Sequence, residues 1–162
     1  MKNNKKKSKV AIVMGSQSDY ITMRRCEKTL KILNIKFETK IISAHRTPKR
    51  LFEFAHSADK NNFSVIIAAA GGAAHLPGMI ASMSILPVIG VPIETKKLKG
   101  LDSLLSIVQM PNGVPVATVA IEAAANAGLL AASIISNFDT KVKRSLEKFK
   151  KKQTDSIKKK PK

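Results

Sequence analysis

The hydrophobic pattern of this chain alternates between two periods. Five short runs are strand-sized: Val10–Val13, Phe37–Ile42, Val65–Ala69, Pro87–Val91 and Val114–Val119, most of them rich in Val and Ile. Between them apolar residues recur every three or four positions, at Met23/Cys26/Leu30/Leu33, Leu51/Phe54/Ala55/Ala58 and Leu101/Leu104/Leu105/Val108, and a shorter helix is expected over Leu76–Met83. Strand then helix, repeated, predicts an α/β fold in which right-handed crossovers place helices on both faces of a parallel sheet.

The second run departs from the others. Phe37, Thr39 and Ile41 alternate with Glu38 and Lys40, whereas the first and third runs are apolar throughout. A strand with a polar side suits a sheet edge, as the order 2-1-3-4-5 requires. Further along, EAAANAGLLAASII from Glu122 is crowded with small residues that let a helix approach a neighbour closely, within the chain or between subunits. Beyond Asn137, Phe138, Val142, Leu146 and Phe149 share one helical face and lysines cover the other. Such an amphipathic helix docks on the body or on a sister subunit, or else lies on a membrane or an anionic partner.

Composition alters this picture mainly at the ends. Residues 1–9 hold five Lys, and residues 141–162 hold eleven Lys or Arg against Glu147 and Asp155, so the two ends carry +14 of the formal +18. The basic character is therefore mostly tail. Nonspecific attraction of nucleic acid by the tails stays open, but specific recognition is not expected where stacking aromatics are so scarce. The expected organisation is a basic flexible N-terminus over 1–8, one domain over 9–152 that includes the C-terminal helix, and a basic disordered tail over 153–162. No apolar run nears the roughly 20 residues that span a bilayer, and MKNNKKKSK leads into no signal-like segment, so a cytoplasmic protein without a membrane partner is expected. The single Cys26 falls on an apolar stripe and reads as a buried thiol.

Candidate chemistry collects in the loops that follow the first three strands, which a parallel sheet gathers at one rim. Met14–Asp19 reads MGSQSD: Gly15 allows a tight turn, Ser16 and Ser18 offer hydroxyls, and Asp19 stands near a helix start. That pattern suits a phosphate and ribose hydroxyls, or an ordinary helix cap. Ser43–Pro48 reads SAHRTP. Pro48 is suited to open a helix with Thr47 as its cap, Arg46 can fork onto a phosphate, and His45 stands beside it as a candidate functional histidine. In the third loop, Gly71, Gly72, Ala73 and Ala74 let backbone N–H groups come close to a small anion, and His75 either donates a hydrogen bond or orients the loop. His56, inside a helix, reads as structural. No Asp/Glu/His cluster has metal-ligand spacing, and no GxSxG or Cys–His pairing marks a covalent hydrolase. Residues and spacing alone lead to a phosphorylated small molecule handled by one histidine.

The segments MGSQSD, SAHRTP, GGAAHLPGMIAS, PVIGVP, SIVQMPNGVPVATVAI and ANAGLLAA, spread from Val10 to Ile135, closely resemble the class I N5-carboxyaminoimidazole ribonucleotide mutases of purine biosynthesis. The resemblance implies a flavodoxin-like three-layer sandwich, a homo-octamer, and an isomerase without metal or organic cofactor. The implied reaction moves a carboxylate from the exocyclic nitrogen of an imidazole ribonucleotide to ring carbon 4. It also implies that Ser16, Ser18, Asp19, Ser43 and Arg46 bind the ribose phosphate, that His45 is the acid–base residue, and that Gly71, Gly72, Ala73 and His75 shape the pocket over the base and the migrating carboxylate. Glu122-Ala123-Ala124-Ala125 is less glycine-rich than the family pattern, and no binding role is assigned to it. Two other readings stay open: a direct CO2-dependent aminoimidazole ribonucleotide carboxylase, and a noncatalytic nucleotide-binding module.

Overall fold

In the computed structural model, which describes residues 8–160, β1 (Lys9–Met14) and β3 (Val65–Gly71) are buried along almost their whole length. Each has a parallel strand on both sides and helices over both faces, so nearly all of its backbone and side chains are shielded from water, which is why both read as unbroken apolar runs. The sheet is parallel throughout, in the order β2-β1-β3-β4-β5, with β2 at Lys36–Ile41, β4 at Val88–Ile93 and β5 at Ala117–Thr118. The outer strand β2 carries Glu38 between the ammonium groups of Lys9 and Lys40, charges that discourage edge-to-edge pairing. At the opposite edge β5 is only two residues long, against the six of the apolar run, and its register stops at Ile89↔Ala117 and Gly90↔Thr118. Pro115 lacks the N–H that would extend the ladder.

Residues of β1 alternate between two cores, and this makes three layers. Val10, Ile12 and Met14 face α1 (Tyr20–Ile32) and α5 (Ala124–Ser136); Ala11 and Val13 face α2 (Pro48–Ser57), α3 (Leu76–Met83) and α4 (Leu101–Val108). The small residues after Glu122 serve contact within the chain, since a Cβ on Gly128 would lie 3.1 Å from the Thr29 side chain of α1. Helix α6 (Thr140–Ser156) is capped by Asp139, which accepts from the Lys141 and Val142 N–H groups at 2.9 and 3.2 Å. Its apolar face docks on the body through buried Val142 and Leu146.

Two expectations need amending. Gln153–Ser156, assigned from sequence to the disordered tail, are helical, because neither proline nor glycine interrupts α6 before Ser156. In α4 the inward face is Ser103 and Ile107, while Leu101, Leu105 and Val108 of the apolar stripe are exposed. Residues 1–7 of the basic N-terminus and 161–162 of the tail lie outside the described residues. Among the described residues no helix is long and apolar enough to cross a membrane. Cys26 is fully buried, and burial pushes its thiol up to about 12, so it stays protonated and inert.

Candidate active site

The carboxyl ends of β1 to β4 meet at one rim, where their loops enclose a pocket of about 630 Å³. In the first loop Ser16 caps a short 3-10 turn, Gln17–Asp19, that runs into α1. The Ser16 hydroxyl accepts from the Ser18 N–H at 3.3 Å, and the Asp19 carboxylate accepts from the Ser16 N–H at 3.1 Å, a reciprocal capping box. The Ser18 hydroxyl lies 3.0 Å from that of Ser16 and 3.2 Å from Asp19 Oδ1. Asp19 is 7% exposed, and this burial raises its carboxyl above the ordinary range. Hydrogen bonds from Ser18, Ser16 and Gly15 pull the other way, and the charge of Glu122 adds to the rise.

The second loop is tied to the first by Arg46. Its main-chain N–H and its Nε–H both donate to Ser43 Oγ at 3.3 Å, and Nη2 donates to the Gly15 carbonyl at 3.2 Å. Pro48 is the first residue of α2, as expected, but Thr47 does not cap that helix. Its hydroxyl turns back instead, donating to the Ser43 carbonyl at 2.9 Å and accepting from the Ser43 N–H at 3.0 Å, which locks the loop as a closed turn.

Loops two and three meet through their histidines. His45 Nε2 lies 2.8 Å from His75 Nδ1, with the rings edge-on at 82°. Two facing imidazole nitrogens at this separation hold one proton between them, since two N–H groups or two lone pairs would repel. Both rings are exposed on the pocket wall, beside Gly71 and Ala73. Gly72 is not on that wall. It has φ +68°, and its N–H donates inward to Ser103 Oγ of α4 at 2.9 Å. His56 is remote, resting on the Phe52 ring and carbonyl.

The pocket thus gathers Ser16, Ser18, Asp19, Ser43, His45, Arg46, Gly71, Ala73 and His75. Two further carboxylates stand on its wall: Glu94, which the sequence does not single out, and Glu122, to which no binding role is assigned from sequence. Glu122 has φ +61°; its carboxylate accepts from the Glu94 N–H at 3.1 Å and from the Thr22 hydroxyl, tying α1 to the end of β4. Nothing in the local sequence announces this, because it depends on where the turn after β5 delivers residue 122. The cavity offers a guanidinium, hydroxyls and a carboxylate together with paired imidazoles and a wall of small residues. Among the described residues no three His, Cys, Asp or Glu side chains group to hold a metal ion.

Comparison with known proteins adds the following. The model of the AIR carboxylase family matches residues 9–156. The N5-carboxyaminoimidazole ribonucleotide mutase of Haemophilus influenzae is 52% identical over 154 residues, which are 94% of this chain and 94% of that protein. A bifunctional purine synthesis protein purC/E of Dictyostelium discoideum is 55% identical over 150 residues, 91% of this chain but only 15% of the larger protein. Among solved structures, Treponema denticola PurE superposes with a TM-score of 0.84 at 27% identity, covering 92% of this chain and 93% of that one.

Proposed function

The chain belongs to the AIR carboxylase family, and from that premise we propose that it converts N5-carboxyaminoimidazole ribonucleotide to 4-carboxy-5-aminoimidazole ribonucleotide, as a cytoplasmic isomerase of purine biosynthesis. The observation that carries this reading is the meeting of His45 and His75 at 2.8 Å in the same pocket as Arg46, Asp19 and the small-residue turn. An acid–base group, an anion site and a close-fitting wall are what a carboxylate migration on a ribonucleotide needs.

The geometry supports the following roles. Arg46, spread between Ser43 and Gly15, keeps further N–H donors for the phosphate, and the hydroxyls of Ser16, Ser18 and Ser43 line the same pocket. Asp19 accepts from the ribose hydroxyls. His45 gives a proton to the carbamate nitrogen; the C–N bond breaks, its electron pair stays on nitrogen, and CO2 is released. Carbon 4, now electron-rich, attacks the CO2 carbon. The proton on carbon 4 then returns to His45 as the ring regains aromaticity, so the proton count closes without a cofactor. Holding CO2 beside carbon 4 against Gly71, Ala73 and His75 makes the second step effectively unimolecular.

A homo-octamer is part of the proposal. Exposed Ile85, at 89%, with Leu98, Leu101, Leu105 and Val108 supplies apolar surface suited to burial between copies. The decisive experiment gives purified protein the carbamate nucleotide without ATP or metal and, in parallel, aminoimidazole ribonucleotide with bicarbonate. Rapid carboxylation at carbon 4 from the first alone, lost in His45→Asn, is expected. Efficient bicarbonate-dependent carboxylation would move the assignment to the direct carboxylase, and no turnover with either would leave a binding module.

A further inference from the structure

Ser103 is a serine on the buried face of α4, wholly inaccessible to solvent and so out of reach of any substrate. Both hydrogen-bonding roles of its hydroxyl are used. It accepts from the Gly72 N–H at 2.9 Å and donates to the Ile93 carbonyl at 2.7 Å. The location explains why a hydroxyl is there. Gly71 pairs with Ile93 at the last step of the β3–β4 ladder, and Gly72 is the next residue. Where an amide could otherwise bond a β4 carbonyl directly, the serine oxygen stands between them as a one-atom spacer. The ends of β3 and β4 are held apart by two hydrogen-bond lengths instead of one. From that gap the turn through Ala73 to His75 enters the pocket.

Neighbouring contacts fix the spacer rigidly. Thr95 donates to the Asp102 carboxylate at 2.9 Å, and the Gly100 N–H reaches the Thr95 hydroxyl at 3.4 Å, pinning the start of α4 to the loop after β4. Ile107, one turn beyond Ser103, presses into the space left by Gly90, where an added Cβ would come within 2.4 Å of it. Ser106 differs from Ser103. Its hydroxyl lies 3.3 Å from the Gly72 carbonyl but 2.7 Å from that of Asp102, so its one proton is committed to its own helix. Gly72 itself has open space where a side chain would stand, so at φ +68° it is the backbone conformation, and not crowding, that favours glycine there.

We infer that Ser103 is a positioning residue for carboxylate transfer: by spacing Gly72 from Ile93 it sets the Gly71–His75 turn at the height that keeps released CO2 over carbon 4. This rests on the mutase reading given above. Displacing the turn opens a route for CO2 to leave before recapture, and the reaction then stops at aminoimidazole ribonucleotide. Loss of the spacer is therefore read in the partition between two products, which a general loss of stability does not change.

The experiment follows carbamate nucleotide consumed, carbon-4 carboxylated product formed and aminoimidazole ribonucleotide released, with the spontaneous loss in buffer subtracted. It compares wild type, Ser103→Ala, Ser103→Cys and Ser106→Ala, with thermal unfolding run on each. Cysteine keeps the volume with a weaker donor and longer bonds, so it reports even if the alanine variant fails to fold. The Ser103 variants are expected to lower kcat for the carboxylated product about tenfold, to hold KM within about twofold and to release mainly aminoimidazole ribonucleotide, whereas Ser106→Ala partitions as wild type does. A folded Ser103 variant with wild-type partition overturns the proposal, as does equal uncoupling in Ser106→Ala. Wild-type protein that forms no carboxylated product overturns the mutase reading itself, which is a distinguishable result.

Discussion

Substituting Arg46 by lysine tests the anion site of the pocket. A guanidinium carries five N–H donors; in Arg46 the Nε–H is held by Ser43 Oγ and one Nη2 N–H by the Gly15 carbonyl, which leaves three for a phosphate. A lysine ammonium has three donors at one point, so it cannot span the two anchors and also fork onto phosphate oxygens. Losing one charge-assisted hydrogen bond costs about 1.5–3 kcal/mol, which converts to roughly 10- to 150-fold in affinity. Arg46 is exposed, so the lower end of that range is expected. The assay is the inhibition constant of the carboxylated product nucleotide and of the same nucleoside without its 5′-phosphate, against wild type and Arg46→Lys. The nucleotide should weaken about tenfold while the nucleoside binds both proteins alike within about twofold, since the arginine is assigned to phosphate alone. Equal weakening of both ligands, or no weakening of either, would remove the phosphate from Arg46.

Other substitutions probe the scaffold. Gly90→Ala puts a Cβ 2.4 Å from Ile107 and 3.0 Å from Val116, so about 1–3 kcal/mol of stability should be lost in urea unfolding, and Ile107→Ala in the same chain should offset part of it. Asp139→Ala removes the α6 cap at a cost of about 1 kcal/mol, while Asp139→Asn costs less. The Ser8 hydrogen bond, with help from the capped N–H groups and Lys141, holds the Asp139 carboxyl below its ordinary 3.8. Its ionised form therefore favours folding above that pH, and the wild-type advantage over Asp139→Ala should shrink as pH falls below about 3.8. Asp19 has the opposite sign. Burial raises its carboxyl, so the native state takes up a proton more readily than the unfolded one, and wild type should gain stability relative to Asp19→Asn as pH falls from 7 toward 3.8, while the variant binds nucleotide more weakly at pH 7.

What could be read from sequence follows from how local each signal is. β1 and β3 were legible because strands buried on both faces must be apolar at every position, and β2 because one strand had to tolerate an edge. The extent of β5 was not, since the apolar run continues through Pro115 although the ladder does not. Helix α4 is instructive. Its length was readable from leucine spacing, but the spacing pointed to the wrong face, because the leucines stay exposed and a serine and an isoleucine go inward. A periodicity records which positions are apolar and not what they will be buried against. At the site, the motif residues were legible as motifs, whereas Glu122 and Ser103 act through contacts with residues 100 and 31 positions away and leave no local trace.

These distant contacts share a purpose. Arg46 ties loop two to loop one, the two histidines tie loop two to loop three, Glu122 ties α1 to the end of β4, and Ser103 ties loop three to β4 through α4. Each wall of the pocket is thus braced by another wall within the same chain, and its polar groups are oriented before a ligand arrives. Water exclusion is a separate matter, since His45, His75 and Ala73 are all exposed in one chain. In the octamer proposed above, a neighbouring copy would supply the seal that the single chain lacks. The apolar outer face of α4, with Leu101, Leu105 and Val108, lies on the same eight-residue helix whose inner face holds Gly72. Under the proposed function, an association that covered that outer face would bear on the same helix that anchors Gly72, and assembly and retention of CO2 would then be joined through α4.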